Sequence, residues 1–125
     1  MGTILIVDDS ETLRMELKSV LQSGGHQVIE AVDGLDGVKK AETNDGISLI
    51  LADYNMPGLD GITMISKIKG ISRYANVPVG ILTTESSKDL KAAGKDAGVI
   101  VWFVKPFDGE RLLQAVDKIL ERFSG

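Results

Sequence analysis

The chain has no cysteine, which excludes disulfides and any thiolate metal site and fits a reducing compartment. It has no surplus of basic charge either. A formal net charge of −4 repels nucleic-acid phosphate, so direct nucleic-acid binding is not expected. It lacks a long apolar run: the longest, Val99 to Val104, falls far short of the about 20 residues that span a bilayer. Met1-Gly2-Thr3 leads directly into an apolar segment, with no basic n-region or cleavage site, so no secretory signal is expected. The single histidine, His26, stands beside Gly24-Gly25 and reads as a solvated turn residue rather than a ligand or base. Repeats, low-complexity tracts and interdomain linkers are absent. What remains is a chain of 125 residues, 43% hydrophobic. It is sized for one domain that buries roughly two-thirds of its unfolded surface, working as a cytoplasmic monomer without a membrane segment.

Within that frame, apolar strand-like runs alternate with helical patterns five times. The strands are read as Thr3–Val7, Gln27–Ala31, Leu49–Asp53, Val79–Thr83 and Val99–Val104. Three are nearly all apolar, as a strand buried on both faces reads. Leu13, Leu17, Val20 and Leu21 recur at helical spacing, and Gly24-Gly25 stops that helix. Val38 and Ala41, then Ile62, Ile65 and Ile68, then Leu90, Ala93 and Ala97, mark three further helical faces. Leu112, Leu113, Val116, Ile119 and Leu120 mark the last. Such alternation predicts right-handed crossovers and a parallel sheet covered on both sides, an α/β doubly wound fold.

Polar groups follow the strands in a consistent way. Asp8 and Asp9 come after Ile4-Leu5-Ile6-Val7, Asp53 after Leu49-Ile50-Leu51-Ala52, Thr83 after Val79-Gly80-Ile81-Leu82, and Lys105 after Val104. If the strands are parallel, all of these emerge at the carboxyl edge of one sheet, where open α/β sheets bind ligands. Each group also has an ordinary role. Asp8 with Glu11 resembles a capping box, and Thr83-Thr84-Glu85-Ser86-Ser87 is rich in helix-capping residues. Asp53 through Gly58 contains a Pro-Gly turn. Capping does not explain two adjacent, mutually repelling carboxylates, and a turn does not explain an acid closing a buried strand. With strands one and three as neighbours, three carboxylates meet, which raises their pKa values unless a cation is present. A hard cation such as Mg²⁺ suits a few carboxylates plus water. Lys105 adds a phosphate-directed point charge, and Pro106 after it is a candidate cis proline. Lys88, Lys91 and Lys95 form a basic stripe at helical spacing, ordinarily a solvated face.

In this order, Asp8-Asp9, Asp53 through Gly58 with Asp60-Gly61, Thr83, and Lys105-Pro106-Phe107 resemble the receiver domain of bacterial two-component response regulators, most closely the single-domain chemotaxis type. The likeness covers essentially the whole chain. It implies a flavodoxin-like (βα)5 fold with strand order 2-1-3-4-5, one receiver domain over 1–125 and no effector domain. It implies that Asp53 accepts a phosphoryl group from a sensor histidine kinase or a small phosphodonor, as a carboxylate nucleophile. Mg²⁺ would be held by Asp8 (through water), Asp9, Asp53 and the backbone carbonyl of Asn55. Lys105 and Thr83 would complete the catalytic set, and the partner downstream would be a protein such as a flagellar motor switch component. By the same likeness the chain is a binding switch rather than an enzyme, catalysing only its own phosphorylation and dephosphorylation. Asn55 and Glu85 match positions that tune phosphoryl lifetime.

Trp102 departs from the pattern. Family members usually carry Tyr or Phe there, and the larger indole is expected near the fourth helix and the Thr83 loop, moving with them as part of the switch. A phosphate sink or phosphorelay intermediate is the alternative within the class. A flavin or nucleotide enzyme would need a Gly/Ser/Thr-rich loop after the first strand, where this chain has Asp8-Asp9. A phosphohydrolase of the haloacid dehalogenase type would carry Asp-x-Asp on the first strand, whereas here Asp53-x-Asn55 follows the third.

Overall fold

The structure, a computed structural model, describes residues 2–123. Five strands alternate with five helices: β1 (Thr3–Val7), α1 (Glu11–Ser23), β2 (Gln27–Ala31), α2 (Gly34–Thr43), β3 (Leu49–Ala52), α3 (Gly61–Lys69), β4 (Val79–Thr83), α4 (Lys88–Asp96), β5 (Val99–Val104) and α5 (Gly109–Phe123). A single 3₁₀ turn, Ser72–Tyr74, leads into β4. All strand pairs are parallel, in the order β2-β1-β3-β4-β5. The expected doubly wound flavodoxin-like fold is therefore present. No helix among the described residues is long and apolar enough to cross a membrane.

The unbroken apolar strands are explained by the two-residue period of a pleated strand. In β1, Leu5 and Val7 face one side, where they pack with Ile50, Ala52 and the α3 residues Met64, Ile65 and Ile68. Ile4 and Ile6 face the other, against Leu17 and Leu21 of α1 and Leu112, Val116 and Leu120 of α5. Both faces of β1 and β3 are thus covered, and the sheet has two cores rather than one. At about 25 cal/mol per Å² of apolar surface removed from water, these faces supply most of the drive to fold. Gly25, at φ +85, lets the chain reverse after α1 in a conformation that a side chain would strain.

Three expectations need correction. β3 ends at Ala52, not Asp53: the Asp53 N–H still pairs with the Val7 carbonyl at 2.9 Å, but the chain then turns so that the Tyr54 carbonyl accepts the Gly61 N–H. His26 is not a solvated turn residue. It is 5% exposed, accepts the Gly2 N–H at Nδ1 and meets Asp117 of α5 through Nε2 at 2.7 Å. The Gly24-Gly25 reversal folds it inward, under α5. In α4, Ala93 is exposed and Gly94 is the buried position. A Cβ at Gly94 would stand 3.0 Å from Cζ3 of Trp102, so the indole occupies the space that an alanine face would have filled.

Candidate functional site

The site lies at the switch point, where the chain leaves β1 towards β2 on one side and β3 on the other. The register Val7↔Ala52 sets Asp8 and Asp53 side by side just past the strand ends. Carboxylate oxygens of Asp8, Asp9 and Asp53 lie within 4.8 Å of one another. Asp8 and Asp53 are buried and Asp9 is exposed. Three oxygen-donor side chains at that spacing fit a hard divalent cation that keeps part of its water shell, as Mg²⁺ does.

Local folding fixes each acid. Asp8 does not cap α1. Ser10 does, accepting the Leu13 N–H at 3.2 Å, while Asp8 Oδ1 accepts the Ser10 N–H at 2.8 Å. Asp53 Oδ1 accepts the Asn55 N–H at 3.3 Å. The loop after Asp53 returns tightly, since a Cβ on Gly61 would stand 2.2 Å from the Asp53 carbonyl oxygen. Only glycine allows that approach. Gly61 was legible only as part of the Asp60-Gly61 pair.

Lys105 closes the site from the far side. Its backbone N–H donates to the Thr83 carbonyl at 2.9 Å, extending the β4–β5 pairing one residue. Its Nζ bonds Asp8 Oδ2 and Asp53 Oδ2, each at 2.9 Å. The Lys105–Pro106 peptide is cis, as Pro106 was a candidate to be. Burial works against the Lys105 ammonium, but the bonds to Asp53 and Asp8 outweigh it and hold its pKa above the ordinary lysine value. Asp8 is raised, chiefly by burial. The Ser10 N–H and Lys105 oppose this, and repulsion from Asp53 adds least. The like-charge repulsion expected of these acids thus contributes to the raised Asp8 pKa, but less than desolvation does.

Thr83 is fully buried, and its Oγ1 accepts the Glu85 N–H at 3.4 Å. Glu85 bridges two regions. Its carboxylate accepts from Asn55 Nδ2 at 3.1 Å, and its backbone carbonyl accepts the Trp102 indole N–H at 2.9 Å. Trp102 thus lies against α4 and beside the Thr83 loop, as expected. With Lys91, Lys95 and Ile100 it lines a shallow groove of about 410 Å³. Lys88 stays on the exposed start of α4. Sequence reading missed Arg14, whose Nη1 donates to the Asp8 carbonyl at 2.7 Å. Its only sequence signal is a cation one turn into the helix that follows the acidic pair.

Residues 4–117 match the response regulator receiver domain family. The chain is 32% identical over 118 residues to chemotaxis protein CheY1 of Helicobacter pylori, which covers 94% of this chain and 95% of that one. It is 37% identical over 120 residues to protein PilH of Pseudomonas aeruginosa, covering 96% and 98%. Among solved structures, chemotaxis protein CheY4 of Vibrio cholerae superposes with a TM-score of 0.90 at 35% sequence identity, covering 95% of this chain and 98% of that one.

Proposed function

The chain belongs to the response regulator receiver domain family, and on that premise we propose that it is a cytoplasmic switch, phosphorylated on Asp53 by a partner histidine kinase. The observation that carries the reading is the clustering of the Asp8, Asp9 and Asp53 carboxylates at the switch point, with Lys105 paired to Asp8 and Asp53. In the reaction an Asp53 carboxylate oxygen attacks phosphorus. The new O–P bond replaces the bond to the donor's imidazole nitrogen, or to the acyl oxygen of a small donor, and the leaving group keeps that electron pair. Lys105, already bonded to Asp53, is placed to stay beside the phosphoryl oxygens and offset their charge. Asp8, Asp9, Asp53 and the Asn55 carbonyl would hold Mg²⁺, which when bound supplies further positive charge to the same oxygens.

The signal leaves through Thr83 and Glu85. A phosphoryl oxygen on Asp53 gives the Thr83 hydroxyl a new acceptor, drawing the loop that carries Glu85. Because Glu85 holds both Asn55 and Trp102, its movement alters the groove between α4 and β5. That biases two pre-existing arrangements of one surface. The exposed Lys91 and Lys95 beside apolar Ile100 and Trp102 suit an acidic segment with an apolar anchor. The chemotaxis names of the relatives favour a downstream protein such as a flagellar motor switch component.

The test has two stages. Labelled phosphoryl should pass from a sensor kinase phosphohistidine to the wild type and not to Asp53→Asn. The phosphoryl-locked wild type should then capture a partner that Asp53→Asn does not. Lys91→Glu should weaken the capture about tenfold, the effect of about 1.4 kcal/mol, with phosphoryl uptake intact. Onward transfer of the label to another histidine protein would instead identify a phosphorelay intermediate.

A further inference from the structure

Asp8 and Asp53 are held by their own carboxylates, but Asp9 is not. Among the described residues, the exposed Asp9 side chain makes no hydrogen bond or ion pair, although its carboxylate belongs to the acidic cluster. Its position depends on the backbone, and the peptide that carries it is gripped on the Asp8 side. The Asp8 N–H donates to the Ala31 carbonyl at 3.2 Å, and the Asp8 carbonyl accepts Nη1 of Arg14 at 2.7 Å. Because the peptide unit is planar, fixing the Asp8 carbonyl also fixes the direction of the Asp9 N–Cα bond.

Arg14 is itself fixed from a second element. Its side chain is 12% exposed, and its Nε donates to Glu30 Oε1 of β2 at 3.3 Å. The other Glu30 oxygen takes Lys18 Nζ, one turn along α1, at 3.3 Å. Glu30 directly precedes Ala31, so β2 holds both ends of the clamp: a carbonyl for Asp8 and a carboxylate for Arg14. A guanidinium can meet these two acceptors at once because its donors diverge in a rigid plane. An ammonium carries all its donors on one nitrogen, so it joins two acceptors only where they converge on one point, as Asp8 and Asp53 do at Lys105. It cannot reproduce the two separate donor nitrogens that Arg14 uses.

We propose that Arg14 is a positioning residue for the cation site, aiming the otherwise untethered Asp9 carboxylate by holding the Asp8–Asp9 peptide against β2. This rests on the reading of the cluster as a Mg²⁺ site. The sign of the effect separates it from simple electrostatics. A guanidinium bonded to the Asp8 carbonyl stands beside the acidic cluster and as a charge opposes Mg²⁺. Its removal by charge alone would tighten binding or leave it unchanged, whereas loss of aim weakens it.

The test is calorimetric titration of the unphosphorylated protein with Mg²⁺, comparing wild type, Arg14→Lys, Arg14→Ala and Glu30→Gln. Both Arg14 variants should raise the Mg²⁺ Kd about tenfold, the low end of what loss of an outer-sphere partner costs a metal site. Glu30→Gln should raise it less. In acyl-phosphate assays the half-saturating Mg²⁺ concentration should rise equally, while the rate at saturating Mg²⁺ stays at the wild-type value. A general packing role would not produce that split. If Arg14→Ala does not fold, Arg14→Lys, which keeps the charge and the stem, carries the comparison. A Kd equal to or below wild type in the folded variants overturns the positioning role. Absence of Mg²⁺ binding to the wild type would overturn the metal-site reading itself, and this inference with it.

Discussion

The Lys105 ammonium stands 2.9 Å from Asp53 Oδ2, and at the same distance from Asp8 Oδ2. The structure thus holds an internal cation among its acids. Replacing Lys105 with Met keeps the apolar stem but leaves two buried carboxylates without their counterion. Breaking a fully buried pair costs about 3–5 kcal/mol. With the Lys105 side chain 18% exposed, about 2–3 kcal/mol of folding stability should be lost in metal-free buffer. Mg²⁺ should then raise the Tm of Lys105→Met more than that of the wild type. Chemical denaturation with and without Mg²⁺ measures both, and equal stability of the two proteins would contradict the role given to this ammonium.

Trp102 is placed to test the proposed switch because its indole N–H is bonded to the Glu85 backbone. If a phosphoryl mimic draws the Thr83 loop inward, Glu85 follows and the half-buried ring moves further beneath it. Access of an external quencher to Trp102 should fall on adding the mimic and stay constant in both Asp53→Asn and Thr83→Ala. Equal access in every state would mean that Gly94 and the surrounding packing hold the indole in place. The signal would then leave by the Thr83 loop alone.

Asp36 offers a check on electrostatics beside the site. Burial alone would raise its pKa, but the Val32 N–H at 3.0 Å and the Lys40 ammonium at 3.2 Å outweigh burial and lower it. A carboxyl with a lowered folded pKa stabilises the fold above its unfolded value of about 3.9, and loses that contribution as pH falls through the folded value. Asp36→Asn should therefore be less stable than wild type at neutral pH by about 1 kcal/mol, the scale of one net hydrogen bond. The gap should narrow as the solution is made acidic. A gap that stays constant until the wild type unfolds would rule out the ion pair as its source.

Much of this architecture was legible because its causes are local. Ile4 to Val7 and Leu49 to Ala52 are apolar at every position, as a strand covered on both faces reads. The acids beyond them had to meet once the strands paired in parallel. What stayed hidden depends on distant or backbone partners. His26 is buried because Asp117 lies 91 residues further along the chain, and no local pattern announces that pairing. Arg14 acts on a carbonyl, a group that every residue carries and no motif records. Ala93 was read into the buried face of α4 because nothing local shows that the Trp102 ring lies against Gly94 instead. The end of β3 was misplaced by one residue because Asp53 keeps one ladder bond while the chain already turns.

The central claim is that the Asp53 carboxylate is the phosphoryl acceptor. The most direct measurement is intact-protein mass spectrometry after incubation with an acyl phosphate and Mg²⁺, on the wild type and on Asp53→Asn. The account predicts a single phosphoryl adduct on the wild type, lost when Mg²⁺ is chelated before the donor is added, and none on Asp53→Asn. A normal yield on Asp53→Asn would contradict it, since another side chain would then be the nucleophile.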